Sequence, residues 1–319
     1  MIKAIALKLK TFRFRLLYKT VFYYIKHLYK KFQKDKIWVL SEGIAFNIVL
    51  CIIPFNLILF TVLGIYLESS DTIEKFSEYL QGILPFVDTF KAKFIAYLVD
   101  RVKEITSYTF ITGVIGLGGL LWLMSGLFSS MRDVLNKIYN VEDNINFLIG
   151  KLRDFVLIII TLVLFLLSFS VTSGFQIIQD FSKRIFGVVI TFNIFETIVP
   201  ILVSFVITFS LFYILYAFVP NIKFPKKAVI FSTFFASVFF EILKYFFTLY
   251  VLNFSNYGKV YGVYATLVVI LLWLYYISVI FVVGAALGKI YLDKNNLKFP
   301  LVKKHNSKFY GTAKVIQND

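Results

Sequence analysis

The apolar positions of this chain gather into six long runs separated by shorter polar stretches. The runs cover about 42–67, 108–131, 155–179, 194–219, 228–252 and 262–292. A helix needs about 20 mainly apolar residues to cross the hydrocarbon core of a bilayer. Each run meets that length, so the pattern predicts an all-α fold: a polytopic membrane helix bundle with about six transmembrane helices. The break between the fourth and fifth runs is short, with Lys223, Lys226 and Lys227 around Pro225. Such a link forces the two helices it joins to run antiparallel.

Two further stretches carry a helical rhythm without enough apolar length. In residues 1–37, Phe14, Leu17, Val21, Ile25, Leu28 and Phe32 recur at spacings of three and four, while Lys19, Lys26 and Lys30 take other faces. This predicts a basic amphipathic helix. It either lies in the headgroup layer among anionic lipid headgroups or packs on the rest of the protein. In residues 68–107, Val87, Phe90, Phe94, Leu98 and Ile105 form a stripe among charges. That stretch reads as amphipathic surface helix outside the hydrocarbon. The organisation expected is an N-terminal segment 1–37, a six-helix transmembrane domain 38–292 and a basic tail 293–319.

Composition supports the membrane reading. Apolar residues make up 59% and charged ones 16% of the chain, against about 45–50% and 25% in soluble domains. The net charge of +16 would suit a nucleic-acid binder, but its distribution does not. Eleven of the 34 Lys and Arg stand in residues 1–36 beside one acid, Asp35, and six more stand in 294–319. With six spans, the side holding both termini carries 24 cations and the other side 8. Cytoplasmic loops are enriched in Lys and Arg, so both termini are expected in the cytoplasm, in a bacterial plasma (inner) membrane. The expected partners are membrane lipids, with anionic headgroups at the N-terminal segment and no nucleic acid. The N-terminus lacks the apolar core and cleavage site of a signal peptide.

The candidate chemistry is sparse. Glu241 and Lys244 fall deep in the fifth run at a spacing of three, which places them on one helix face. An isolated charge at the bilayer centre costs about 2.5–3.5 kcal/mol on insertion scales. The pair is therefore expected to avoid lipid, either lining a polar cavity or forming an internal ion pair that fixes helix register. Asn56 is expected at similar depth, just after a kink at Pro54, with Asn47 nearer the cytoplasmic end. Glu42 and Glu196 read as interfacial. Glycines in the second run, Gly116 and Gly119 among them, and the GxxxG spacing of Gly284 and Gly288 predict close helix packing. Trp273 is too central for an interface belt and reads as packed. Cys51 stands alone, and His27 and His305 sit in basic flanks, so neither a disulfide nor a metal site is expected. No nucleophile stands beside a base, and no enzyme active site or cofactor is predicted.

Three stretches together resemble the YihY/BrkB family of bacterial inner-membrane proteins. They are Ser41-Glu42-Gly43-Ile44-Ala45-Phe46 with Pro54; Leu215-Tyr216-Ala217-Phe218-Val219-Pro220 through Pro225 to Glu241 and Lys244; and Val260-Tyr261-Gly262-Val263-Tyr264 through Trp273 and Tyr275 to Gly284-Ala285. The resemblance implies six membrane helices with cytoplasmic termini. It implies no settled activity: the family has carried a ribonuclease BN label that looks like a misassignment, and has been linked to virulence and to envelope or lipid export. Family members usually carry an acid where this chain has Ala286, so a charged role is not expected there. The functions that follow are a candidate transporter or lipid translocator, or a non-transporting scaffold of an envelope complex. A ribonuclease would need clustered acids or histidines in a cytosolic domain, and none is visible.

Overall fold

The computed structural model describes residues 2–66, 95–97, 100, 109–142, 150–161, 163, 195–220, 222–254, 258–297, 299 and 314–315. The described residues are overwhelmingly helical. The named helices are α1 (Ile2–Lys34), α2 (Ile37–Tyr66), α3 (Thr109–Tyr139), α4 (Phe195–Phe218), α5 (Lys226–Phe254) and α6 (Gly258–Lys294). Residues 150–161 are helical as well. Two short strands, β1 (Val141–Glu142) and β2 (Lys314–Val315), pair antiparallel.

Among the described residues, four stretches are long and apolar enough to span a membrane: Ile37–Leu59, Ile111–Tyr139, Lys226–Phe247 and Leu267–Lys294. Leu202–Phe218 is a shorter apolar helix. The sequence places the first span five residues later, at Glu42, and ends the second near residue 131. The structure carries α3 on to Tyr139, because Met131, Val134, Leu135, Ile138 and Tyr139 recur at helical spacing and are all buried. Most of the third run, and nearly all of the 68–107 stretch, lie outside the described residues.

Helix ends follow local chemistry. α1, α3 and α6 are each followed by a residue with positive φ, namely Lys36 (52°), Asn140 (54°) and Asn296 (48°). A left-handed residue just past the last turn lets the following amides reach the orphan carbonyls of the helix. Beyond α6, the Asn296 amide donates to the Asp293 carbonyl at 3.3 Å and the Leu297 amide to that of Leu292 at 3.1 Å. At the start of α5, the Pro225 carbonyl accepts from the amides of Ala228 (2.9 Å) and Val229 (3.1 Å).

The chain divides into two units. The first comprises residues 1–44, 128–246 and 275–319, and the second 45–127 and 247–274. In the first, α5 and α6 meet through small residues. A side chain at Gly284 would press on the Tyr216 hydroxyl, stand 2.9 Å from Ala236 Cβ and 3.2 Å from the Ser232 carbonyl. One at Gly288 would collide with the Ser232 and Tyr139 hydroxyls and lie 3.1 Å from the Ala228 carbonyl. Gly284 and Gly288 thus face Ala228, Ser232 and Ala236, a complementary row at four-residue spacing. Such rows let backbones approach where lipid supplies no hydrophobic drive. Tyr216 fills the adjoining space: its hydroxyl donates to the Phe281 carbonyl at 2.7 Å, and the two rings stack at 5.1 Å.

α1 packs on this unit by one face. The Tyr24 ring stacks on Phe231 at 5.5 Å, and Phe231 stacks on Tyr291. Lys31 bonds Asp35 at 2.6 Å and the Ile138 carbonyl at 2.9 Å. Burial draws the Lys31 ammonium below the usual lysine range, and Asp35 opposes that shift.

In the second unit α2 and α3 approach through Gly116, whose missing side chain would lie 3.0 Å from Ile58 Cγ1 and 3.2 Å from Leu57 Cβ. A side chain at Gly119 would stand 3.4 Å from Pro54 Cβ, an ordinary contact distance. α2 runs unbroken on both sides of Pro54. Trp273 packs against Phe247 with ring centroids 4.3 Å apart.

Candidate functional site

Glu241 lies about 22 Å along α5 from Lys226, taking 1.5 Å of rise per residue. It lies within Lys226–Phe247, a stretch long and apolar enough to span a membrane, and nearer to the Phe247 end of that stretch. Lys244 follows one turn later, and its Nζ stands 2.8 Å from Glu241 Oε2. The pair does not stand alone. From α4, Thr208 Oγ1 donates to Glu241 Oε1 at 2.9 Å and Ser204 Oγ at 3.3 Å. Lys244 Nζ donates to Ser204 Oγ at 2.5 Å. Ser204 relays the lysine's donation to the carboxylate, so Lys244, Ser204 and Glu241 close one hydrogen-bonded ring, to which Thr208 adds a further donor from α4.

The cluster is polarised between its members. Thr208 is buried, Glu241 is 23% exposed at its side chain and Lys244 38%. The ammonium therefore stands at the open edge, 5.8 Å above the Phe240 ring, while the carboxylate reaches inward. Below it on α5, Ser237 and Thr233 continue the same face at four-residue spacing, and both are fully buried. Thr233 bonds back to the Val229 carbonyl at 2.8 Å. Ser237 Oγ has no hydrogen-bond partner among the described residues. A polar ridge, Thr233–Ser237–Glu241–Lys244, thus runs along a helix of otherwise apolar character.

The other sequence candidates stand on other helices. Asn47 and Asn56 belong to the second unit. Asn47 Oδ1 lies 3.8 Å from the position a Gly126 side chain would take, and Asn56 is half-buried on α2. Ala286, where the resemblance leads one to look for an acid, is fully buried in α6.

A second polar cluster has no counterpart in the sequence reading. Arg132 on α3 and Asp154 in the helical stretch 150–161 form a buried ion pair, the aspartate fully enclosed. Ser129 Oγ reaches the same carboxylate at 3.4 Å. Arg132 Nε donates to the Val219 carbonyl at 3.3 Å, and Arg153 donates to the carbonyls of Phe218 and Pro220. Two guanidiniums thereby satisfy three consecutive carbonyls at the C-terminal end of α4, where orphan acceptors and the helix dipole favour cations. The signal was present but unreadable: Arg132 and Asp154 look like flanking charges, and nothing local ties them across 22 residues. Ser204 and Thr208, hydroxyls four apart in an apolar run, carry only a weak signal of their own.

Comparison with known proteins decides the family. The profile described as Virulence factor BrkB matches residues 28–304, most of the chain. The chain belongs to the BrkB family. Curated relatives of this BrkB chain are similar at lower identity. A UPF0761 membrane protein of Psychrobacter sp. (strain PRwf-1) is 26% identical over 80% of this chain and 46% of its own length. One of Acinetobacter baylyi (strain ATCC 33305 / BD413 / ADP1) is 24% identical over 89% and 66%. One of Haemophilus influenzae (strain 86-028NP) is 22% identical over 82% and 91%. The matched region thus spans about half of the first relative and two thirds of the second. No solved structure matches the chain. These BrkB relatives are named as membrane proteins, and with its apolar helices this chain is a multi-pass integral membrane protein.

Proposed function

We propose that this protein moves an envelope component, lipid-like in having a charged headgroup, across the bacterial inner membrane, and that it does so without catalysing a covalent reaction. The cluster of Ser204, Thr208, Glu241 and Lys244 serves as the polar waypoint. The observation that carries this reading is the half-open ion pair inside the apolar stretch of α5, continued along the helix by the buried Ser237 and Thr233. Two charges inside an apolar span cost several kcal/mol unless paired, and here each has a counter-charge together with a hydroxyl partner. A headgroup bearing an anion or a cation can displace one member of the pair while Ser204 stays hydrogen-bonded to the other. Both termini lie in the cytoplasm in this reading, on the strength of the Lys and Arg distribution.

One feature favours a second reading, a scaffold: the four groups satisfy one another as they stand, which suffices to fix register between α4 and α5. The test is a double-variant cycle in a deletion strain. Glu241→Gln or Lys244→Met alone strands a partly buried charge and should lower thermal stability. Glu241→Leu with Lys244→Met should recover stability. Translocation predicts that this stable double variant fails to complement, whereas a scaffold predicts full complementation.

A further inference from the structure

α1 presents three distinct faces, and the bundle uses one. Tyr24, Lys31 and Asp35 lie on the face that meets Phe231 and the Ile138 carbonyl. A second face carries Tyr18, Val21, Phe22, Ile25 and Tyr29, each more than half exposed. Their spacing places them in one stripe along the helix, with the Tyr18 and Phe22 rings stacked at 6.2 Å. Beside that stripe Lys19, Lys26 and Lys30 are also exposed.

We propose that this outer surface of α1 is a binding site for the headgroup layer of an anionic bilayer, with the aromatic stripe sunk among the acyl-chain ends and the lysines on lipid phosphates. This goes beyond the translocation reading and does not depend on it. Three observations select lipid. First, only Asp35 and Lys36 separate α1 from Ile37, where a stretch long enough to span the membrane begins, so α1 ends beside the membrane boundary. Second, five large apolar or aromatic side chains in one row are costly to leave in water, and tyrosines at both ends of the row suit the zone where an apolar ring meets a wet headgroup. Third, the neighbouring lysines match the negative surface of a membrane rich in acidic lipid, which attracts basic residues that stand close to it. A second copy of the chain would instead bring like charges together, since residues 1–36 hold eleven cations and a single acid.

The experiment uses the full chain with Cys51→Ser and Phe22→Cys carrying a bimane label, in nanodiscs of brominated phosphatidylglycerol or brominated phosphatidylcholine. Lys34→Cys serves as the water-facing control. The expected result is strong quenching at position 22 by brominated lipid and weak quenching there by aqueous iodide, with the reverse at 34. Quenching at 22 should be at least about twofold stronger with the glycerol lipid. Lys19→Gln with Lys26→Gln and Lys30→Gln should bring the two lipids level at unchanged thermal stability. Iodide quenching at 22 as strong as at 34 would mean the stripe faces water and would overturn the proposal. Protection of 22 from both quenchers would mean that protein covers it, and would overturn it equally. Equal quenching by the two lipids in the parent would remove the lysines' assigned role and the anionic specificity with it.

Discussion

At the scale of single residues, buried charges dominate. Asp154 is fully enclosed, and Arg132 is its ion-pair partner. Removing one member of a buried pair typically costs about 3–5 kcal/mol, because the other charge is left unsolvated. Arg132→Met should therefore cut thermal stability in detergent far more than Lys223→Met, at an exposed site in the α4–α5 link. Equal shifts for the two variants would show that Arg132 does not hold α4. The glycines offer a sharper contrast. Gly288→Val drives a branched side chain into Ser232 and Tyr139 and towards the Ala228 backbone, and overpacking of this kind costs about 1–3 kcal/mol or more. Gly118 has nothing within 4 Å of its missing side chain, so Gly118→Ala should be neutral or stabilising by up to about 1 kcal/mol through helix propensity. Melting curves of the two variants check both signs.

At the scale of elements, hydropathy made the helices legible and side-chain partners did not. α2, α5 and α6 could be read from runs of apolar residues because lipid tolerates little else. The end of α3 could not. Arg132, Asp133 and Lys137 look like the start of a loop, and only tertiary burial of Val134, Leu135, Ile138 and Tyr139 between them keeps the helix going. Glu241 and Lys244 were visible as a pair because both stand on one helix. Ser204 and Thr208 were not visible as their partners, since a hydroxyl in a membrane helix can equally bond its own backbone, as Ser210 does to the Val206 carbonyl. For α1 the sequence left packing and lipid contact open as alternatives. The structure packs one face of the helix and leaves two others exposed, so the alternatives need not exclude each other.

At the scale of the whole molecule, the account rests on a membrane topology and on passage through it. Six spans with cytoplasmic termini predict that reporter fusions after Asp88 and Tyr257 report the periplasmic side, and that fusions after Ile145 and Tyr310 report the cytoplasm. A cytoplasmic signal at Tyr257 would contradict that topology. The most direct test of the central claim is the lipid composition of each inner-membrane leaflet, measured in a deletion strain and in the same strain carrying either the parent or the Glu241→Leu, Lys244→Met variant. Translocation through the α4–α5 ring predicts that at least one charged envelope lipid builds up on one leaflet in the deletion strain. It should return to the parental distribution with the parent protein and remain displaced with the folded double variant. Leaflet compositions that do not change on deletion, or that the double variant restores in full, would contradict the account.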